Sequence, residues 1–278
     1  MEKKNKIASF IIFTVLLIAS VVFIFPVAIV LMNSFKTKFN ISSAPFKLPT
    51  RETFAGIENY IEGITSTDFP MAFFLSIFVT VFSVAAILFF TSMTAWYIVR
   101  SKDKFSKIFY YLLLFSMIVP FQMVMFTMSK TANLLRLDNP VGLIIIYLGF
   151  GAGLSTFMFC GFIKSVPLGI EEAATIDGCT PLQTFFLVVL PLLKPTAITI
   201  AILDTMWIWN DYLLPYLTVG HDYKTIPIAV QYLKGGYGSI DMGAMMAVLV
   251  LSVIPVILFY LFCQKYIIKG VAAGAIKG

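Results

Sequence analysis

Residues 171–195 read EEAATIDGCTPLQTFFLVVLPLLKP, a partly charged, amphipathic stretch between two long apolar runs, and its punctuation predicts two short helices at a membrane surface. Pro167 suits position N1 of the first helix, because its ring presets φ and its missing N–H would be unpaired there anyway; Gly178 suits the residue just past the end. In the second helix Thr180 reads as the cap, Pro181 as N1 and Gln183 as the N3 residue that reaches back. An apolar helix then runs to Leu190 and is stopped by Pro191 and Pro195. The first helix is expected to expose Glu171, Glu172 and Asp177 beside the small side chains of Ala173 and Ala174. Small residues let a partner's backbone come close, and carboxylates near a helix N-terminus stay charged and can meet Arg or Lys. On these residues alone, a protein-docking surface and a solvated loop both stay open.

Composition fixes the environment of that stretch. The 278 residues are 59% hydrophobic and 12% charged, with a mean hydropathy of +0.93, which is too apolar for a soluble globular protein and fits a polytopic membrane protein. A net charge of +6 is small for a nucleic-acid binder, and the basic residues stand between apolar runs rather than along one stripe. Cys160, Cys179 and Cys263 are scattered without CxxC spacing, so neither a disulfide framework nor a metal site follows. A small buried hydrophobe is the simpler role for them.

Six apolar runs are legible. The first, 7–35, follows MEKKNK and is far longer than the h-region of a signal peptide, so it reads as a retained membrane helix. Residues 33–68 are polar and Pro-bearing, with room for a short interfacial helix. Runs at 69–99, 108–129, 139–163, 196–217 and 242–264 supply five further helices. Gly149, Gly151, Gly153 and Ser155 in the fourth run favour close helix packing in lipid; without a following Gly-Lys-Ser/Thr they make no phosphate cradle. Six spans put both termini on one side. Placing residues 1–6, 100–107, 164–194 and 265–278 in the cytoplasm puts 12 Lys/Arg there against 8 outside, the expected sign of the bias. The chain divides on this reading into 1–68, the first span with an extracytoplasmic segment, and 69–278, a five-helix core with the loop 165–195.

No catalytic apparatus is visible. The single histidine, His221, stands in an outer loop beside Asp222, zinc spacing is absent and no serine sits in a nucleophile elbow. No G-x-x-x-x-G-K-[ST] occurs, so the chain has no P-loop of its own. The best solute-path candidate is the fifth helix. Asp204 stands ~13 Å along it from its cytoplasmic end, close to mid-bilayer, where a carboxylate needs water or a partner. Asp204, Trp207, Ile208 and Asp211 share one face by i, i+3, i+4, i+7 spacing, with Asn210 adjacent. Carboxylate, amide and indole suit sugar hydroxyls and the C–H face of a ring. Equally, residues 209–212 lie where aromatic and polar interface anchors are ordinary.

The spacing Glu172-Ala173-Ala174, three residues, Gly178, nine residues, Val188, one residue, Leu190-Pro191 resembles the EAA loop of permease subunits of binding-protein-dependent ABC importers. The one departure is Val188, where the family pattern has Ile. VPLGIEEAATIDG at 166–178, the closing VAAGAIKG at 271–278 and WNDYLLP at 209–215 are similar to carbohydrate permeases of the MalG-like group, so the resemblance covers most of the chain. It implies an all-α membrane protein with the six-helix, MetI-like fold of type I importer permeases, in the inner or plasma membrane of a bacterium or archaeon. It also implies a second related permease subunit, two ABC ATPase subunits that bind ATP and Mg, and an extracytoplasmic solute-binding protein delivering a sugar. Coupling to the ATPase would fall to Glu171, Glu172, Ala173, Ala174, Asp177, Gly178, Val188, Leu190 and Pro191, and the solute path to Asp204, Trp207, Asn210 and Asp211. The alternatives are an importer for a non-sugar solute such as glycerol phosphate, or an ion-coupled secondary transporter using Asp204; the absence of a repeated half weighs against the latter.

Overall fold

The computed structural model of the chain describes residues 6–101, 103–220, 222–233 and 241–275. Lys102, His221 and the last residues of the 271–278 stretch lie outside them. In chain order the helices are α1 (Lys6–Asn33), α2 (Lys38–Ser43), α3 (Glu58–Thr67), α4 (Phe69–Ser101), α5 (Lys104–Ile118), α6 (Phe121–Leu134), α7 (Pro140–Ile163), α8 (Leu168–Ile176) and α9 (Pro181–Gln183). A π-helical turn over Thr184–Val189 joins α9 to α10 (Leu190–Asn210), and α11 (Leu213–Thr218), α12 (Ile226–Gln231) and α13 (Met242–Ala275) follow. Five spans are long and apolar enough to cross a membrane, and α5 with α6 makes a sixth if a bent pair counts as one.

Two expectations fail at prolines. The run 108–129 is not one helix, because α5 and α6 are bent by 108° at Val119 and Pro120. A proline's ring clashes with the α conformation of the residue before it, and Val119 is accordingly extended (φ −75°, ψ 113°). Conversely, Pro191 and Pro195 do not stop the helix that begins at Pro181; the apolar span runs unbroken from Pro181 to Asn210. At Pro191 the π turn is the reason, while Pro195 stands inside α10 beyond it. Leu190 N–H bonds to Phe185 O, five residues back, and this wider turn gives the Pro191 ring room where an ordinary turn would clash. The other end also moves: the helix stops at Asn210, short of the 217 expected.

Residues group into two compact units, Met1–Pro70 with Ala229–Pro255, and Met71–Ile228 with Val256–Gly278. In the first, α1 buries none of its apolar window and so presents a hydrophobic surface all round, as a lipid-facing or partner-facing helix does. Beyond it the chain is held by polar contacts to backbone. Asn59 Nδ2 donates to Ser34 O and Lys36 O at 2.8 Å each, and buried Lys36 Nζ donates to Ala44 O at 2.9 Å. Asp241 caps α13 by accepting from Ala244 N–H at 3.0 Å and pairs with Lys38, whose Nζ also meets Glu62 at 3.1 Å.

The second unit is built on α4, α7 and α10. Leu75, Val79 and Ile87 of α4 join Leu143 and Tyr147 of α7 and Ile208 of α10 in one buried cluster. Ala95, Phe159, Cys160, Ile163, Phe185, Val189 and Leu193 form another. Two of the flagged glycines explain why α7 sits so close to its neighbours: a Cβ on Gly151 would lie 2.6 Å from Ile87 Cδ1, and one on Gly153 2.7 Å from the Leu113 carbonyl oxygen of α5. Gly149 faces open space, so that part of the packing expectation does not hold. Cys160 is buried as a small hydrophobe, whereas Cys179 and Cys263 are half-buried.

Candidate functional site

The paired short helices form as their local signals require. Asp177 ends α8, and Gly178 takes a left-handed φ of +89°, which costs glycine nothing and lets Cys179 N–H return to Ala174 O at 3.0 Å. Thr180 and Gln183 close the capping box: Thr180 N–H donates to Gln183 Oε1 at 2.8 Å, and Gln183 N–H donates to Thr180 Oγ1 at 3.4 Å. Pro181 takes N1, while Pro167 stands one position earlier than expected, as the N-cap of α8.

Glu171 is not on the exposed face. It is 6% exposed, and its carboxylate is held from two sides by α4. Arg100 donates to Oε1 from Nε at 3.0 Å and from Nη2 at 2.7 Å, and Trp96 Nε1 donates to Oε2 at 2.9 Å. Arg100 Nη2 also reaches Val166 O at 3.2 Å, so one guanidinium ties the loop after α7, the start of α8 and the end of α4 together. Such charge-assisted bonds are about twice as strong as neutral ones, and here water is largely excluded from them. Ala174 is buried beneath α8 as well.

What remains outward is Glu172, Ala173, Asp177 and Gly178, together with the apolar Ile176, at 86% exposure, and Leu182. Two exposed aliphatic side chains thus stand among acidic and small residues on the outward surface of the helix pair. Val188 lies in the π turn and Leu190 and Pro191 at the start of α10, so they belong to the helix leaving the protrusion.

The second set of expected residues does not form a single ligand-facing row. Asp204 is 4% exposed and accepts from Ser155 Oγ of α7 at 3.3 Å. Asp211 lies past the end of α10, where its Oδ1 accepts from Leu213 N–H at 3.0 Å and its Oδ2 from Tyr147 OH at 3.1 Å. Trp207 is 39% exposed and meets the Tyr147 ring edge to face, 5.4 Å between centroids. Exposed Asn210 donates back to Met206 O at 2.7 Å. Tyr147 therefore links Trp207 with Asp211, and α7 supplies a hydrogen-bond donor to each of the carboxylates of Asp204 and Asp211. Sequence reasoning missed Tyr147, Trp96 and Arg100. Arg100, the first charge after the 69–99 run, was a usable signal that was read only as topology. Among the described residues no group of three metal-ligating side chains is gathered.

Comparison with known proteins gives this arrangement a family. Residues 87–273 match the model of the binding-protein-dependent transport system inner membrane component. The chain is 37% identical over 262 residues to a probable starch degradation products transport system permease protein of Thermoanaerobacterium thermosulfurigenes, covering 94% of each. It is 33% identical to a multiple sugar-binding transport system permease protein of Streptococcus mutans, over the full length of both. A chain in the crystal structure of a bacterial ABC transporter involved in the import of the acidic polysaccharide alginate superposes with a TM-score of 0.79 at 22% identity. That match covers 96% of this chain and 98% of the other, a likeness of fold. With the spaced motif seated on a clamped helix pair between two spans, the chain belongs to the binding-protein-dependent transport system inner membrane component family.

Proposed function

We propose that the chain is the transmembrane permease subunit of an ATP-driven ABC importer and passes on a sugar or oligosaccharide delivered by a solute-binding protein. The observation that carries this reading is mechanical: an exposed protrusion, α8 with α9, is clamped to α4 through Glu171 and continues without a break into the 181–210 span. The names of the relatives, a starch-product permease and a multiple-sugar permease, support the substrate class.

On this reading both termini and residues 165–195 are cytoplasmic, residues 69–278 form the permease core, and the membrane is that of a bacterium or archaeon. A second homologous permease completes the pathway and two ATPase subunits, which bind the ATP and Mg, grip the protrusion. Glu172 and Asp177 meet cations of the ATPase while Ile176 and Leu182 enter its groove. When the ATPase pair closes on ATP it displaces the protrusion. Two joints carry the movement into the membrane: the Arg100 clamp moves α4, and the continuous helix moves α10. ATP drives the cycle only because it favours one state of the assembly; equal affinity for both would shift nothing. At the far end of α10, Trp207 and Asn210 offer a ring face and an amide to the solute, while Asp204 and Asp211 hold that end of the path in shape through Ser155 and Tyr147.

The test is uptake by the complete complex in proteoliposomes, with ATP enclosed and the binding protein and sugar outside. Glu172→Lys alters an exposed position and Gly178→Asp strains only the surface turn at φ +89°, so each is expected to leave the protein in the membrane and abolish ATP-driven uptake. Normal uptake by both would refute the coupling assignment.

A further inference from the structure

Beside the clamp, the ends of α4, α5 and α7 line an open cavity of about 620 Å³ whose charged and aromatic lining is Arg100, Lys107, Lys164, Tyr110 and Tyr111, with Ser106 and Cys160 beside them. This volume lies within the ~300–1,000 Å³ range of small-molecule sites. No carboxylate lines it. On the adjoining helix ends, Glu171 is held by Arg100 and Trp96, and Asp103 accepts from Ser106 N–H at 2.6 Å and from Tyr97 OH at 3.1 Å. Lys107 and Lys164 make no ion pair among the described residues; Lys164 Nζ stands over the Tyr110 ring, 5.7 Å from its centroid. With Arg100 already paired to Glu171, Lys107 and Lys164 are left as two cations around one space without an ion-pair partner, so the cavity as built favours an anionic occupant.

The other wall is apolar. Ile98 and Val99 of α4 supply apolar lining, and α5 exposes Phe105, Ile108 and Leu112. The cations stand where the spans Phe69–Ser101 and Pro140–Ile163 end, at the depth of lipid headgroups, and Tyr110 and Tyr111 are placed like interface anchors. A ligand with a phosphate at one end and hydrocarbon at the other satisfies both walls; a free phosphate satisfies one. We infer that this cavity is a binding site for the phosphate headgroup of an anionic phospholipid, held by Lys107 and Lys164 with Arg100 behind them. Apart from Arg100, which it shares with the clamp, the site uses none of the proposed docking or solute-path residues, so its existence does not depend on the transport reading.

The full-length chain in neutral detergent, titrated with fluorescent phosphatidylglycerol and with phosphatidylcholine of the same acyl chains, tests the inference. Saturable binding of phosphatidylglycerol alone is expected. Each lysine at such a surface contributes about a factor of five, so Lys107→Gln with Lys164→Gln is expected to weaken binding about 30-fold. The Lys107→Arg, Lys164→Arg pair keeps the charge and should retain binding, and Lys130→Gln, outside the cavity lining, should change nothing. Equal binding by the Gln pair and the wild type, equal binding of both lipids, or an Arg pair as weak as the Gln pair would each overturn the assignment. Displacement of the lipid by millimolar inorganic phosphate would overturn it in favour of a soluble anion.

Discussion

Replacing Arg100 by Gln is the sharpest perturbation of the joint between α8 and α4. The Glu171 side chain is 8% exposed and that of Arg100 21%, and the carboxylate would keep only the Trp96 N–H of its three donors. Breaking a buried pair from one side costs about 3–5 kcal/mol, because a charge is left without compensation. Gln can still donate once and a fifth of the site meets water, so the lower end, about 3 kcal/mol, is expected. At 1.36 kcal/mol per decade that is a factor of about 150 in the equilibrium between the docked and the detached helix pair. The loss should be local, since the buried clusters on α4, α7 and α10 are untouched. Amide hydrogen exchange on the purified complex reads it directly: residues 168–183 should exchange about 100-fold faster while the middle of α7 is unchanged. The double variant Arg100→Gln, Glu171→Gln should be less perturbed than Arg100→Gln alone, because no buried charge remains. Exchange of 168–183 within threefold of wild type, or a double variant whose effects simply add, would show that the pair does not hold the helix.

Three further outcomes follow from other contacts. Gly153→Ala sets a Cβ against the fixed Leu113 carbonyl and should lower stability by about 1–3 kcal/mol, whereas Gly149→Ala meets open space and should be neutral or stabilising by up to about 1 kcal/mol; thermal unfolding in detergent separates the two. Burial pushes the Asp241 carboxyl up, but the Lys38 ammonium and the Ala244 N–H outweigh it and hold it below its ordinary value, while the same Asp241 contact holds Lys38 above its own. The contact therefore stabilises the start of α13 above about pH 4, the unfolded carboxylate value, and this is lost as pH falls through the depressed folded value; at the alkaline end it is present below about pH 10.4 and lost through the raised Lys38 value. Protection factors at the first turn of α13, with the intrinsic pH dependence of amide exchange divided out, should be flat between these limits and fall outside them, and Asp241→Asn should abolish the acid arm. Asp204→Ala removes the acceptor of Ser155 Oγ and is expected to impair uptake while ATPase binding to the complex stays normal; unchanged affinity and rate would remove Asp204 from the pathway.

Features that depend on residues three or four apart were legible in the sequence. The Thr180–Gln183 capping box and the Gly178 turn follow from neighbouring residues, since a helix end must satisfy its own N–H and C=O groups nearby. The bend at Pro120 was equally local and went unread, because hydropathy continues across it while backbone sterics do not. Burial of Glu171 was decided elsewhere: Arg100 is 71 residues away in the chain, and amphipathic spacing on α8 carries no information about which neighbouring helix end supplies a cation. Likewise Ser155 and Asp204, 49 residues apart, meet only because α7 packs on α10. Pro191 marks the limit of local rules, for the penalty of an interior proline is real but a single wider turn absorbs it, and only the packed helix shows that it did. The sequence by itself thus determined a bundle of membrane helices with a capped helix pair between two of them. Tertiary packing decided which carboxylates face outward and which are locked inside, since that depends on what each helix touches.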